Sequence, residues 1–338
     1  MHLLRRQRSV MNTFSIGIDL GGTNLKGIVM ERDGTSRHLT RVPTEADKGG
    51  KKVLENILAL IGLLLEKEIS RDSCIGVGLG TPGFVDGDGT VLGGAENLPG
   101  WKSTSIYSSV FATYGLKASA TNDVTVTALA ESQFGAGKGV GNMVCLALGT
   151  GIGGGIVINN QVYKGTHGMA GEIGHIIVEP DGIPCTCGHK GCVEQYASAT
   201  GIVNITRKLA PVYESDAPST LKRIALESPE LITAKIVYDH AKDNDPFGIY
   251  INDVVCEKLA RALGTVINTL SPDRIILGGG VMKAGRIIID TVSRHVPDFC
   301  WRQLWERCDI VAAELGENAG VLGAASLAFA DLGDKSHE

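Results

Sequence analysis

The chain has 338 residues, enough for about two domains with large buried interiors. Its composition, with 43% hydrophobic, 20% charged and 5% aromatic residues, is that of a folded globular protein and excludes an extended disordered chain. The 32 basic and 37 acidic side chains give a net charge of -5, so no overall basic field attracts nucleic acid or an acidic membrane. A small-molecule partner is therefore expected.

Residues 1–12 are predicted to form a disordered leader, and Met11 is a second candidate for the true start. No apolar segment of the kind found in a secretory signal follows Arg5, Arg6 and Arg8. The most apolar later stretch, VLENILALIGLLLEKE, is too short for a membrane span and is interrupted by Glu55. These features predict a cytoplasmic protein without membrane contact.

The first segment predicts a meander of strands separated by turns: TFSIGIDL, then GGTN, then LKGIVME, then HLTRV. Apolar residues at helical spacing predict a helix over 51–67, and CIGVGLG predicts a buried strand after it. From Asn142 the pattern of strand, glycine turn and strand returns in NMVCLAL, GTGIGG and GIVINNQVY. This weak repeat favours two α/β lobes that face each other across a ligand cleft.

Beyond Tyr196 the periodicity is mainly helical and predicts an insertion from about Thr200 to His240, followed by a core helix. No function is predicted for the insertion. The stretch SPDRIILGGGVM predicts a buried strand and a glycine turn, and NAGVLGAASLAFA predicts a tightly packed closing helix. The predicted small lobe comprises 13–121 plus 317–332, and the predicted large lobe comprises 122–316.

Three glycine clusters each follow an apolar strand, and they begin at Asp19, Gly149 and Gly278. Glycine lets backbone N–H groups approach phosphate oxygens, although each cluster alone is also typical of an ordinary hairpin turn. The G-x-G-x-x-G match at Gly149 is not a dinucleotide fingerprint, because a strand rather than a helix follows it. Lys138 is followed by glycine, which excludes a P-loop. Nucleotide binding would therefore use hairpin loops.

Asn122 and Asp123 lie between a short predicted strand and a predicted helix that runs to Phe134. Asn or Asp commonly caps a helix at such a position. The alternative is catalytic: Asp123 would accept a proton from a substrate hydroxyl, as positioned general bases do.

Three of the eight cysteines crowd into one loop: Cys185, Cys187 and Cys192. His175 stands ten positions earlier at a predicted strand edge, and a tetrahedral Cys3His zinc site fits this set. His189 is a rival fourth ligand, and a cluster of ordinary reduced thiols is the alternative. Four protein ligands leave no open position, so such a zinc would be structural and would fix the loop and the flanking Glu172 and Glu194.

Seven motifs occur in one order along the chain: DLGGTN, TPG, ENLPGW, TNDVTVTALAE, LGTGIGGGIVINNQVYKGTHGMAGEIGH, CTCGHKGCVEQYAS and IILGGG. Together they resemble the ROK family of repressors and sugar kinases, in the actin and hexokinase superfamily. The resemblance runs from about Phe14 to Ala330 and is strongest to the bacterial ATP-dependent glucokinases of that family. It implies an α/β, two-lobed actin/hexokinase-like (ribonuclease H-like) fold with a central ligand cleft and a zinc loop over 175–194.

The resemblance also implies roles for individual residues. Asp123 would be the general base for the sugar's 6-hydroxyl, and the other sugar-binding residues would be Gly83, Asn97, Asn122, Glu172, His175 and Glu194. Asp19 would act near Mg²⁺. The remaining ATP-binding residues would be Gly21, Gly22, Thr23, Lys26, Gly149, Thr150 and Gly151 toward the phosphates, and Gly279 and Gly280 toward the adenosine. The metal ligands would be His175, Cys185, Cys187 and Cys192, which favours His175 over His189.

The expected function is ATP-dependent phosphorylation of glucose by a homodimer that uses Mg²⁺ and a structural Zn²⁺. N-acetylmannosamine, N-acetylglucosamine, fructose or allose could replace glucose, because these family members share the Glu-x-Gly-His element. A sugar-responsive transcriptional repressor is the alternative from another class. It is disfavoured because about 13 residues precede FSIGID and the chain is acidic. A sugar-binding protein without catalysis is a third alternative.

Overall fold

The computed structural model describes residues 13–95 and 98–333. The predicted leader and Asn97 lie outside the described residues. The strands are β1 (Phe14–Leu20), β2 (Asn24–Glu31), β3 (Ser36–Pro43), β4 (Cys74–Thr81), β5 (Phe84–Val85), β6 (Val91–Gly93), β7 (Ala118–Asn122), β8 (Met143–Leu148), β9 (Ile152–Ile158), β10 (Gln161–Val162), β11 (Arg274–Gly278) and β12 (Asp309–Ala312). The α-helices are α1 (Gly50–Glu66), α2 (Ile106–Tyr114), α3 (Asp123–Phe134), α4 (Glu194–Ala197), α5 (Ala199–Leu209), α6 (Thr220–Glu227), α7 (Ala234–Lys242), α8 (Pro246–Leu270), α9 (Arg286–His295), α10 (Arg302–Trp305) and α11 (Ala319–Leu332).

The described chain divides into two compact units. The first contains 13–134, 161–170 and 317–333, and the second contains 135–160 and 171–316. Our predicted lobes had other boundaries, since they placed α3 with the second lobe. In the structure α3 belongs to the first unit, where it packs against α11.

The first unit is built on a sheet with the strand order β3-β2-β1-β4-β7. The predicted meander is present, because β1, β2 and β3 pair antiparallel. Strands β4 and β7 run parallel to β1, with Asp19 beside Gly80 and Thr81 beside Asn122. The carboxyl ends of three parallel strands therefore meet at one edge of the sheet, which carries several of the predicted site residues.

The two faces of this sheet are covered by different helices. On one face, Ile57, Ile61 and Leu64 of α1 are fully buried against the apolar residues of β1 and β2. On the other face α11 approaches so closely that a Cβ on Gly78 would lie 1.8 Å from the carbonyl oxygen of Ala324. The small residues of NAGVLGAASLAFA thus allow backbone-to-backbone packing that larger side chains would prevent.

The second unit has a sheet in which β9, β8, β11 and β12 are successive neighbours. Strands β8 and β9 form an antiparallel hairpin, whereas β11 is parallel to both β8 and β12. The long helix α8 packs with α7 and α9, and α5 to α7 form the predicted insertion. Within 13–95 and 98–333, no helix is long and apolar enough to cross a bilayer.

We expect Gly78→Ala to lower the melting temperature by several degrees, because the added methyl group would force β4 and α11 apart. Overpacking of this kind costs about 2 kcal/mol. Gly87→Ala is the matched control, since a Cβ at Gly87 would meet nothing within 4 Å. Thermal unfolding followed by circular dichroism measures the difference, and equal melting temperatures for the two variants would contradict the packing argument.

Candidate functional site

Asp123 opens α3 directly after β7, at the carboxyl edge of the first sheet. Its Oδ1 and the Oδ1 of Asn122 each lie 2.9 Å from the backbone nitrogen of Val124, so both accept a hydrogen bond from the start of the helix. The Asn122 amide also donates to the carbonyl oxygen of Gly83, at 3.3 Å. The predicted capping role is therefore real, and the same contacts fix Asn122 and Asp123 next to the Gly83 turn.

The turn after β4 has a strict steric requirement at Gly83. Its φ is 89°, and a Cβ there would lie 2.3 Å from the carbonyl oxygen of Gly93. The fully buried Trp101 donates from Nε1 to Thr81 Oγ1 at 2.9 Å and anchors the same turn. The sequence indicated no role for Trp101, although the ENLPGW motif contains it together with Asn97, which lies outside the described residues.

The β1–β2 turn exposes backbone donors. Gly21 donates its N–H to the carbonyl oxygen of Asn24 at 3.1 Å, and Thr44 donates from Oγ1 to the carbonyl oxygen of Gly21 at 2.6 Å. Within residues 13–95 and 98–333, the N–H groups of Gly22 and Thr23 donate to no protein acceptor. A turn that is held at its base and has unpaired N–H groups at its tip is suited to bind an anion.

Asp19 is a half-buried carboxylate at the end of β1. A Cβ on Gly320 would lie 2.7 to 2.9 Å from its carboxylate atoms, so glycine leaves room for it under α11. Burial raises the pKa of Asp19, and the nearby Lys26 ammonium opposes that shift. Lys26 faces Asp19 across the two strands and donates from Nζ to the carbonyl oxygen of Glu317. A carboxylate in this position can serve as an oxygen ligand for Mg²⁺.

The second unit carries the other two glycine loops at the ends of β8 and β11. Gly149 donates its N–H to the carbonyl oxygen of Gly151 at 2.9 Å, while the N–H groups of Thr150 and Gly151 reach no acceptor in the described part of the chain. Gly279 has a φ of 89°, and a Cβ there would lie 2.5 Å from the carbonyl oxygen of Leu148. The turn at Gly279 therefore packs against the end of β8, where the other loop begins, because β8 and β11 are parallel neighbours.

A cavity of about 450 Å³ lies beside these loops in the second unit. Its lining includes Thr150 and Gly280, and α7 supplies Tyr238 together with the Lys235–Asp239 ion pair, whose charged atoms are 2.5 Å apart. The size fits a small-molecule ligand such as a nucleoside. The insertion, for which the sequence predicted no function, thus forms one wall of this cavity.

The predicted metal ligands lie together in the second unit. Ligand atoms of His175, Cys185, Cys187 and Cys192 all lie within 4.8 Å of one another. The sulfurs of Cys187 and Cys192 are 3.5 Å apart, and Cys185 Sγ is 3.6 Å from His175 Nδ1. Tetrahedral zinc with Zn–S bonds of about 2.3 Å requires sulfur–sulfur separations of about 3.8 Å, so the donor set fits zinc. The His189 side chain lies 3.7 Å from Cys187 Sγ through Nδ1 but is not in the group, and its carbonyl oxygen accepts a hydrogen bond from the N–H of Cys185 at 2.8 Å.

The prediction that His175 lies at a strand edge is wrong. His175 ends a short 3₁₀ turn, Ile173–His175, and this turn points Nδ1 at Cys185 while Nε2 lies 3.7 Å from Glu172 Oε2. Burial raises the pKa of Glu172, His175 lowers it, and Glu194 adds to the increase. The structure therefore brings Glu172, His175 and Glu194 into one electrostatic group next to the thiol cluster.

Comparisons with known proteins agree on a family. A family model described as "ROK family" matches residues 15–331. A glucokinase from Thermotoga maritima is 36% identical over 313 residues, covering 92% of this chain and 96% of the relative. A crystal structure of a ROK family glucokinase from Streptomyces griseus in complex with glucose and AMPPNP superposes with a TM-score of 0.73 at 30% identity, covering 93% of this chain and 98% of that one. The predicted fold class is confirmed.

A transcriptional repressor is also similar to this chain, at lower sequence identity. A xylose repressor from Bacillus subtilis is 26% identical over 323 residues, and the match covers 93% of this chain and 76% of the repressor.

We expect Asp19→Asn to raise the melting temperature at pH 7, because the buried carboxylate has a raised pKa and its ionisation opposes folding. The folded protein binds the Asp19 proton more tightly than the unfolded chain. The ionised carboxylate therefore destabilises the folded state fully above the folded-state pKa of Asp19. The gain should shrink as pH falls toward the ordinary aspartate value of 3.8. Thermal unfolding at several pH values measures this effect.

Asp33→Asn is the control for that experiment, since hydrogen bonds from Thr35 lower the pKa of the exposed Asp33. It should give no gain at pH 7. An unchanged or lower melting temperature for Asp19→Asn would show that the ionised Asp19 carboxylate does not destabilise the folded state.

Proposed function

Because the chain belongs to the ROK family, we propose that it is an ATP-dependent glucokinase that phosphorylates the 6-hydroxyl of glucose. The observation that carries this proposal is the match over nearly the full length of both chains to a glucokinase, at 36% identity. The geometry agrees, because each unit presents glycine loops with backbone donors that no protein acceptor in the described chain uses.

Asp123 is the proposed general base. It accepts the proton of the 6-hydroxyl while that oxygen forms a bond to the γ-phosphorus and the bond from this phosphorus to the bridging oxygen of ADP breaks. The helix start holds Asp123 through Val124, and Asn122 is tied to the Gly83 turn. A base positioned in this way needs little reorganisation when substrate binds.

The proposed donor site combines charge and backbone dipoles. The family resemblance implies that the N–H groups of Gly22, Thr23, Thr150 and Gly151 bind the phosphates of ATP, and we adopt this set in the proposal. Bound Mg²⁺ would neutralise charge on the transferred phosphoryl group, and Asp19 is the carboxylate proposed to act near it. The cavity beside Gly280 is the proposed adenosine site.

The proposed sugar-binding residues come from the family resemblance: Gly83, Asn97, Asn122, Glu172, His175 and Glu194. Carboxylates and imidazole suit sugar hydroxyls, since a carboxylate accepts hydrogen bonds and a neutral imidazole has one donor and one acceptor nitrogen. Among sugars we propose glucose first because of the relatives' names, with N-acetylmannosamine, N-acetylglucosamine, fructose and allose as the alternatives. A repressor function is the second candidate, and the similarity to the xylose repressor favours it less, at 26% identity.

We also propose that the Cys3His cluster binds one structural zinc ion. The separations fit a tetrahedral site, and Gln195 donates from Nε2 to Cys185 Sγ at 3.5 Å, as partners of metal-bound thiolates do. Zinc supplies a rigid crosslink here, with no open position for catalysis.

The purified protein with Mg-ATP should release ADP fastest with glucose from a panel that also contains mannose, fructose, N-acetylmannosamine, N-acetylglucosamine and allose. Asp123→Asn should lower kcat by about 10²-fold to 10⁴-fold, the usual contribution of a general base, and leave glucose binding near the wild-type level. A coupled ADP assay measures turnover, and calorimetry measures binding.

Asp298→Asn is the control for the purification and the assay, because this residue lies in the 3₁₀ segment Val296–Asp298, outside the proposed site. Turnover retained within tenfold by Asp123→Asn would refute the base assignment. No turnover by folded wild-type protein with any sugar would refute the kinase proposal.

Cys187→Ser should lower the zinc content from about one ion per chain and lower the melting temperature, because structural zinc contributes directly to folding. Metal analysis of protein prepared without chelators measures the content. Cys300→Ser is the matched control, since Cys300 is outside the cluster and donates to the carbonyl oxygen of Val296. If metal analysis finds no zinc in the wild-type protein, the proposed zinc site is refuted.

A further inference from the structure

Glu194 occupies a position that its expected role as a sugar ligand does not explain. Its Oε2 accepts a hydrogen bond from the backbone N–H of Ile152, at 2.8 Å. Ile152 is the first residue of β9, directly after the glycine loop 149–151. We infer that Glu194 is a positioning residue that sets the conformation of this phosphate loop. The inference rests on the proposed function of the loop.

The contact acts on one peptide unit, the one that joins Gly151 to Ile152. Its N–H is held by Glu194, and its carbonyl oxygen accepts from the N–H of Gly149 at 2.9 Å. A peptide is planar, so two hydrogen bonds on opposite sides fix the orientation of the whole unit. The N–H groups of Thr150 and Gly151, which no protein acceptor in the described chain uses, are thereby given fixed directions toward a phosphate.

The close approach also explains the residue type at Gly151. A Cβ there would lie 2.4 Å from Glu194 Oε2, which is shorter than any normal contact. Glycine at position 151 therefore leaves the space that the Glu194 carboxylate occupies.

The backbone around Glu194 is fixed from two directions. The preceding Val193 is fully buried and donates its N–H to the carbonyl oxygen of Ile176 at 2.9 Å. The following Gln195 donates its N–H to the carbonyl oxygen of Cys192 at 3.0 Å, and its side chain reaches Cys185 Sγ. The thiol cluster therefore holds the segment that carries the carboxylate.

The second carboxylate oxygen, Oε1, accepts no hydrogen bond from any described residue. It remains available for a sugar hydroxyl while Oε2 holds the loop. One side chain would then serve both substrates: the sugar through Oε1, and the phosphate donor indirectly through Ile152. Only the second of these roles is new, and it predicts an effect on nucleotide binding in the absence of sugar.

Two conservative variants separate the effect of side-chain length at position 194 from the effect of its negative charge. Glu194→Gln keeps the length and an acceptor oxygen for Ile152 but loses the charge, whereas Glu194→Asp keeps the charge but is one methylene too short. We expect Glu194→Asp to raise the Kd for MgADP about tenfold, as the loss of a charge-assisted hydrogen bond does. Glu194→Gln should bind MgADP no more weakly than the wild type.

Glu230→Gln is the matched control. Glu230 lies in the same unit, in the 3₁₀ segment Pro229–Leu231 and outside the proposed site, so this change should leave MgADP binding unchanged. Calorimetry without sugar measures the Kd, and zinc content and melting temperature verify that each variant is folded. In the kinase assay, KM for Mg-ATP should rise in Glu194→Asp.

The inference is overturned if Glu194→Asp and Glu194→Gln change MgADP binding equally, or if neither changes it. Failure of the proposed function has a different signature, since wild-type protein would then turn over no sugar at all. In that case the comparison of MgADP affinities still decides whether Glu194 positions the loop.

Discussion

The site residues of both units depend on one constraint, the parallel pairing of neighbouring strands. Parallel strands end at the same edge of a sheet, and the carboxyl ends of such strands are where α/β proteins bind ligands. In the first unit this register places Asp19 beside Gly80 and Asn122 beside Thr81. In the second unit it places Gly278 beside Ala147, so that two glycine loops emerge together. No single motif contains this information, because the paired residues are far apart in the chain.

The glycines serve the packing of the fold as well as the approach of a ligand. Gly83 is needed against the carbonyl oxygen of Gly93, and Gly279 is needed against the backbone of Leu148. Gly280, in contrast, would meet nothing within 4 Å if it carried a Cβ, and it lines the cavity. An ordinary hairpin turn and a phosphate loop are therefore compatible, since a Cβ on Gly21 would lie 2.9 Å from the carbonyl oxygen of Asn24 in the same turn that carries the unpaired N–H groups of Gly22 and Thr23.

The sequence predicted the local structure well and the long-range contacts only in part. The meander of β1 to β3 and helix α1 follow from periodicity and turn residues, which are local properties. The wall that α7 contributes to the cavity was missed, because nothing in the spacing of Tyr238 and Lys235 reveals which loop they face. His175 was misplaced on a strand because two hydrogen bonds to preceding carbonyl groups, from His175 and Ile176, close a 3₁₀ turn there.

The thiol cluster lies directly before Glu194 in the chain, and this position connects it to the glycine loop 149–151. Cys192 ends the cluster, and Glu194 follows it after one buried residue. From Glu194 a single hydrogen bond leads to Ile152 and the loop that is proposed to hold phosphate. Short, buried links transmit a constraint effectively because a packed interior leaves little freedom to relax. A structural zinc ion at this cluster would therefore contribute to the geometry of the donor site without taking part in the chemistry.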